Sequence, residues 1–193
     1  MSGKKSWNYK LGLDYSFNLG RNYFKKTPLK SYPINKTKRF HRKKSDIPRI
    51  IRGTIGNREV VYGEHALKVR FPTFLERPTQ DYDVYSPNPL HDAKQAERAL
   101  DRHFGGDYFY VKQAQHQGTW KVIAHANEEG YADFSPKPQN ITYDKIRGVN
   151  YVKLQVEKQN RMKSLKDPDF AWRHGKDRDA LNRIKLYERM GRR

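Results

Sequence analysis

Apolar and polar positions alternate along this chain with two periods, and the changes of period lay out its elements. Arg58-Glu-Val-Val-Tyr62 is a short β-branched run closed by Gly63 and predicts a strand. Glu64 to Phe71 carries apolar residues at Ala66, Leu67, Val69 and Phe71 ahead of Pro72 and predicts a short helix. Asp81-Tyr-Asp-Val-Tyr85 alternates strictly and predicts a strand. Ser86-Pro-Asn-Pro then leads into a helix over Leu90 to Phe104, with Ala93, Ala96, Leu100 and Phe104 on one face and Gly105-Gly106 as its stop. Tyr108–Lys112, Thr119–Ala124 and Tyr131–Phe134 predict three more strands, and Ser135-Pro-Lys-Pro breaks the chain. The remainder predicts a helix from Asp144 to about Lys166 and a last helix over Asp179 to Met190. Asp46 to Arg52 predicts a short helix or an edge segment, and the residues before it show no period. Strands interleaved with helices, then a meander and terminal helices, give an α+β (α/β) domain with a mixed sheet flanked by helices.

Charge divides the chain further. Of 193 residues, 40 are Lys or Arg and 21 are Asp or Glu, a formal net charge of +19. Residues 1–52 hold 15 of the cations and two acids, Asp14 and Asp46. That segment is expected to form a basic, extended N-terminal arm (1–52) ahead of a domain over residues 53–193. Trp7, Tyr9, Tyr15, Phe17, Tyr23, Phe24, Tyr32 and Phe40 stand among its basic residues. Cations with interleaved rings suit a nucleic acid, the cations on phosphate and the rings on bases. The densest run supplies Lys36, Lys38, Arg39, Arg42, Lys43 and Lys44 as the expected nucleic-acid contacts. With no cysteine there are no disulfides, thiolate metal sites or cysteine nucleophiles. The first ten residues contain no apolar signal segment, and no run approaches the roughly 20 apolar residues of a membrane span. The expected setting is the cell interior, in cytoplasm or an organelle, or a virion, with no membrane partner.

One constellation carries chemistry. Asp81 and Asp83 are two apart on a predicted strand, which places both carboxylates on one face. Converging carboxylates repel unless a cation lies between them, and hard oxygen donors suit Mg²⁺ or Mn²⁺. Asp133 lies on a later strand. If that strand pairs beside the first, three aspartates meet, as a two-metal clamp on a nucleoside triphosphate requires. Gly63, at the strand-to-helix turn, permits close approach of backbone to phosphate. His103, His116, His125 and His174 are scattered and read as surface or hydrogen-bonded histidines, while Trp120 and Trp172 are expected in the core.

Gly63 followed by Arg77-Pro-Thr79 and Asp81-Tyr-Asp83, with the later element Arg173-His-Gly-Lys176-Asp177-Arg178-Asp179-Ala-Leu181, resembles the signature of nucleotidyltransferases of the AbiEii-toxin type. The resemblance spans about Val60 to Ile184. It implies the polymerase-β-like nucleotidyltransferase fold, Asp81, Asp83 and Asp133 as metal ligands, and Asp177 as a further acid of the site. It also implies Gly63, Thr79, Lys176 and a helix lysine, Lys158 or Lys163, as nucleotide and phosphate contacts. At the turn, Glu64 stands where that family has Gly or Ser, and His65 follows. The implied activity is metal-dependent transfer of a nucleotidyl group from an NTP to a nucleic-acid or protein hydroxyl, with RNA ahead of DNA as the partner. The other reading of the arm makes the protein a non-catalytic component of a large nucleoprotein particle, a ribosome or virion, held by RNA, DNA or neighbouring subunits.

Overall fold

A computed structural model describes residues 34–191 of the chain. The aromatic residues from Trp7 to Tyr32 lie outside the described part. The described strands are β1 (Val60–Tyr62), β2 (Tyr82–Ser86), β3 (Phe109–Gln113), β4 (Trp120–Ala124), β5 (Gly130–Pro136), β6 (Tyr143–Ile146) and β7 (Val149–Val152). They form one mixed sheet in the order β3-β4-β5-β2-β1-β7-β6. The pairs β1–β7 and β2–β5 are parallel and the others antiparallel. The helices are α1 (Ile34–Lys43), α2 (Ile47–Thr54), α3 (Glu64–Lys68), α4 (Pro89–Phe104), α5 (Leu154–Ser164) and α6 (His174–Met190). This is the mixed sheet flanked by helices that the periods predict.

The core follows from the pleat. Tyr82, Val84 and Ser86 alternate with Asp83 and Tyr85, so β2 presents its buried side chains to one face and its carboxylate to the other. The buried face packs with the helix α4 through Ala93, Ala96, Leu100 and Phe104. Asn88 precedes Pro89 at the start of α4, and Gly105 ends it in the left-handed region at φ 76°, its N–H donating to the Asp101 carbonyl (2.7 Å). A second, smaller cluster joins Leu67, Phe71 and Leu75 to Ala180 and Ile184 of α6.

Two stretches differ from the sequence expectation. The charge-based boundary at residue 52 falls inside α2, and residues 34–54 are helical and part of the core: Phe40, Ile47 and Ile51 are fully buried. The cations conceal an apolar edge that closes over Phe104, Phe109 and Tyr131. The basic side chains of this segment also have local work. Lys43 donates to the His103 carbonyl (2.9 Å) and Lys36 to the Asp107 carbonyl (3.4 Å), both where carbonyls are exposed at the end of α4. The second difference lies at residues 143–152. A continuous helix was the expectation there, and the chain instead folds into the β6–β7 hairpin before α5 begins at Leu154. Arg147 and Gly148 form its two-residue turn with φ 49° and 82°, the positive-φ pair that matches strand twist. Arg-Gly is a weak turn signal beside Asn-Gly, so the pattern hides the break.

Candidate active site

Asp83 and Asp133 are register partners on the adjacent parallel strands β2 and β5. Asp81 immediately precedes β2, so the three aspartates named from the sequence are brought together at one end of these strands. Burial first, then the charges of Asp81 and Asp133, push the Asp83 carboxyl up to about 7. The Asp133 carboxyl is also raised, by burial and by Asp81, with Lys121 opposing the shift. Each of the other two acids has a local donor: the Thr79 hydroxyl donates to Asp81 (2.9 Å), and Lys121 pairs with Asp133 (3.0 Å). Among the described residues no group of three acidic or histidine side chains is already closed into a metal cage. The donor set nevertheless fits a hard divalent cation: all oxygens, with an excess of negative charge at a buried carboxyl.

The turn before α3 is built around the same carboxyl. Gly63 has φ 72° and ψ −143°, a conformation that only glycine visits readily, and a Cβ there would overlap Asp83 Oδ2. Its N–H donates to Glu157 Oε1 of α5 (2.7 Å). Glu64, the carboxylate where the resemblance implies Gly or Ser, is buried and bound by both terminal nitrogens of Arg183 (2.6 and 3.0 Å). Its charge is therefore neutralised by α6. His65 stacks on Tyr82 with centroids 3.7 Å apart, and burial lowers its imidazole to about 4, so it is neutral and offsets no charge.

A cavity of about 440 Å³ opens beside Asp81, walled by Arg77, Thr79, Glu64, Glu129 and Lys176 among others. Of the cations near this site, Lys121 is paired with Asp133 and Arg183 with Glu64. Lys158 is held by Glu188 (2.8 Å), so this helix lysine is committed to a helix-to-helix ion pair and does not reach the cavity. Lys163 is exposed on α5 and does not line it either. Asp177 is fully buried and accepts from Arg161, Ser164 and Arg173 (3.1, 2.7 and 3.0 Å), which makes it the anchor of the α5–α6 junction. Arg77 and Lys176 remain the cavity cations without a described carboxylate partner, and Lys176 lowers the Asp83 carboxyl against its other neighbours. Glu157, Arg183 and Lys121 were not singled out from the sequence, and Arg77 entered only as part of the signature, with no role assigned to it.

Of the six cations assigned to nucleic acid in the basic run, Lys36, Lys43 and Lys44 make contacts within the domain, Lys44 with Glu129 at 2.9 Å. Lys38, Arg39 and Arg42 are exposed.

A model of the poly(A) polymerase catalytic subunit family matches residues 49–170. Among solved structures, the chain is similar to the Megavirus polyadenylate synthase, with a TM-score of 0.64 and 22% identity. The match covers 94% of this chain and 40% of that one, so the chain spans less than half the length of the Megavirus protein. It is also similar to JHP933 from Helicobacter pylori, at a TM-score of 0.45 and 15% identity, over 78% of this chain and 66% of that one. No curated protein matches it.

Proposed function

The chain belongs to the poly(A) polymerase catalytic subunit family, and on that premise we propose that it transfers a nucleotidyl group, adenylate first among them, from an NTP to the 3′ hydroxyl of RNA. The observation that carries this reading is the meeting of Asp81, Asp83 and Asp133 beside a cavity holding two uncommitted cations, Arg77 and Lys176. Asp81, Asp83 and Asp133 would hold Mg²⁺ or Mn²⁺, which when bound neutralises the α-phosphate and lowers the charge barrier to attack.

The side chains of this chain do the rest. Arg77 and Lys176 bind the β- and γ-phosphates and take up the charge that builds on the departing pyrophosphate. The buried turn at Gly63 brings backbone close to the triphosphate, and Glu157 of α5 and Arg183 of α6, the latter through Glu64, hold that turn. The attacking hydroxyl oxygen forms its bond to the α-phosphorus as the bond to the β-phosphate oxygen breaks. Asp133, raised by burial against the opposing Lys121, would receive the hydroxyl proton. The exposed Lys38, Arg39 and Arg42 would meet RNA phosphates away from the reacting atoms.

The test is incorporation of labelled ATP, GTP, CTP or UTP into an oligoribonucleotide with Mg²⁺ or Mn²⁺. Transfer by the wild type that disappears in Asp81→Asn and Asp83→Asn is the expected result. Absence of transfer with every NTP, metal and acceptor overturns the reading.

A further inference from the structure

Trp172 was expected in the core and is instead 77% exposed, on the short 3₁₀ turn Pro168–Arg173 that leads into α6. A large aromatic side chain left in water is unusual and needs a reason, and a ring on a loose loop would be the simplest. The surroundings of Trp172 are the opposite of loose. Arg173, which follows it, lies over the indole (5.8 Å to the centroid) and is clamped through Nε and Nη2 by the fully buried Asp177. The His174 ring nitrogen Nε2 lies 2.9 and 3.1 Å from the Ser164 and Asp167 carbonyls. Asp167 accepts from the Asp169 N–H (3.0 Å) and so begins the turn. A buried carboxylate, a fixed imidazole and a capping aspartate thus hold an exposed ring and its guanidinium in one place. Lys176, four residues on, lines the cavity beside Asp81.

The segment that carries Arg77 repeats the pattern. Phe74 is 73% exposed, on the turn Thr73–Leu75 whose last carbonyl accepts from the buried Arg183 (3.2 Å). It stands three residues before Arg77, the other uncommitted cavity cation. Each cavity cation is therefore preceded, within four residues, by an exposed aromatic ring on a turn anchored by buried charge.

We propose that Trp172, backed by Arg173, together with Phe74, forms a stacking platform for the unpaired bases of the acceptor strand at the mouth of the cavity. The occupant is single-stranded nucleic acid. Trp172 stands in a stretch that carries Lys163, Lys166, Lys176 and Arg178 beside Asp167, Asp169 and Asp179, and Arg173 is already paired with Asp177; a ring with cations nearby in the chain suits bases on a phosphate backbone better than an apolar protein surface. Stacking is indifferent to base identity, so the platform holds a strand end without reading its sequence. Fixed rings bind with little ordering cost, which is the use of the clamps beneath them. The assignment to the acceptor strand rests on the nucleotidyl-transfer reading above, whereas the platform itself does not.

The experiment uses the full chain and a fluorescein-labelled ten-residue oligoadenylate, with a blunt duplex of the same length as control. Trp172→Ala is expected to weaken single-strand binding on the order of ten-fold, the scale of one lost base stack, and Trp172→Phe to retain most of it. Phe74→Ala acts in the same direction, and duplex binding and the affinity for Mg·ATP stay unchanged. Oligoadenylate should quench indole fluorescence in the wild type, and the share of that quenching due to Trp172 should be lost in Trp172→Phe, leaving only that of Trp7 and Trp120, while circular dichroism and Tm are unaltered. Single-strand binding unchanged in both alanine variants overturns the proposal. So does a shift of Trp172→Ala from oligomer to monomer with binding retained, which would make the ring a protein contact. Nucleotide incorporation is measured in parallel: incorporation with no Trp172 effect sinks the platform alone, and Trp172-dependent binding with no incorporation sinks the transferase reading alone.

Discussion

Gly63 and Asp83 occupy space that only one side chain can fill. The glycine sits at φ 72° on the turn after β1, and a Cβ there would overlap the Asp83 carboxylate. The turn backbone thus presses against the carboxyl that burial and its neighbours raise to about 7. The turn and the buried acid are one device, and substitutions at either end are expected to be felt at the other.

Gly63→Ala should both strain the turn, by about 1–2 kcal/mol for the positive φ, and displace Asp83. Nucleotide incorporation is expected to fall by at least ten-fold while Tm drops by only a few degrees. Activity within two-fold of wild type would show that the turn does not set the position of Asp83.

Asp83→Asn is expected to stabilise the protein while abolishing transfer. The folded carboxyl has a higher pKa than the ordinary value near 3.9, so the folded state holds its proton more tightly, and wild-type stability falls as pH rises from about 4 to about 7. The asparagine variant has no such proton to lose. Its Tm should match the wild type near pH 4 and exceed it by several degrees above pH 7, since each kcal/mol is worth about 2–4 °C in a chain of this size. A Tm difference independent of pH would contradict this account.

Asp177→Asn tests the opposite sign. Burial alone would raise this carboxyl, but Ser164, Arg173 and Arg161 outweigh it and hold it below the usual carboxylate range. Its charge therefore stabilises the fold above the unfolded value near 3.9, and that contribution is lost as pH falls through the lower folded value. The variant should be less stable at neutral pH, with a flatter acid limb in a Tm-against-pH series. If Asp177 were a catalytic acid, activity per folded molecule would collapse; it is expected to survive at temperatures well below the variant's Tm.

Arg183→Met leaves Glu64 buried and unpaired, a loss of about 3–5 kcal/mol. Glu64→Gln/Arg183→Met together should recover a large part of it, because the isolated charge is gone. Urea unfolding of the two single variants and the double variant measures the coupling.

Lys158→Ala and Lys176→Ala separate a bridge from a ligand. Lys158 is tied to Glu188 and should change KM for ATP by less than two-fold, with at most about 1 kcal/mol of stability. Lys176 lines the cavity, and its loss should raise KM for ATP by ten-fold or more, as should loss of Arg77. Steady-state kinetics at fixed RNA decides which lysine holds phosphate.

Local pattern was enough for some of this. The alternation Asp81-Tyr-Asp-Val-Tyr85 places both acids on the polar face, and the apolar stripe of α4 with Gly105 behind it marks a helix and its end. These are properties of adjacent residues, which period and cap chemistry govern directly. The resemblance on Arg77-Pro-Thr79 and Asp81-Tyr-Asp83 reached the nucleotidyltransferase superfamily, and the match over residues 49–170 places the chain in the poly(A) polymerase catalytic subunit family within it. Composition concealed the helix at 34–43 and the burial of Phe40 within it, because its cations swamp one buried ring, whereas the helix at 47–54 was among the readings of Asp46–Arg52; a weak Arg-Gly turn concealed the β6–β7 hairpin.

What the sequence determines by itself, then, is which residues share a face of one strand or helix, because that follows from backbone geometry over a few residues. Which charges remain available is decided only in three dimensions. Asp133 reaches Asp83 through a parallel pairing of strands 50 residues apart, and Glu64 is neutralised by Arg183 across 119 residues of chain. Lys158 and Asp177, equal to Lys176 and Asp83 in residue type, are consumed by partners on neighbouring helices. A cation or carboxylate is chemically useful only if nothing nearby has already neutralised it, and its neighbours are set by the packing of distant segments.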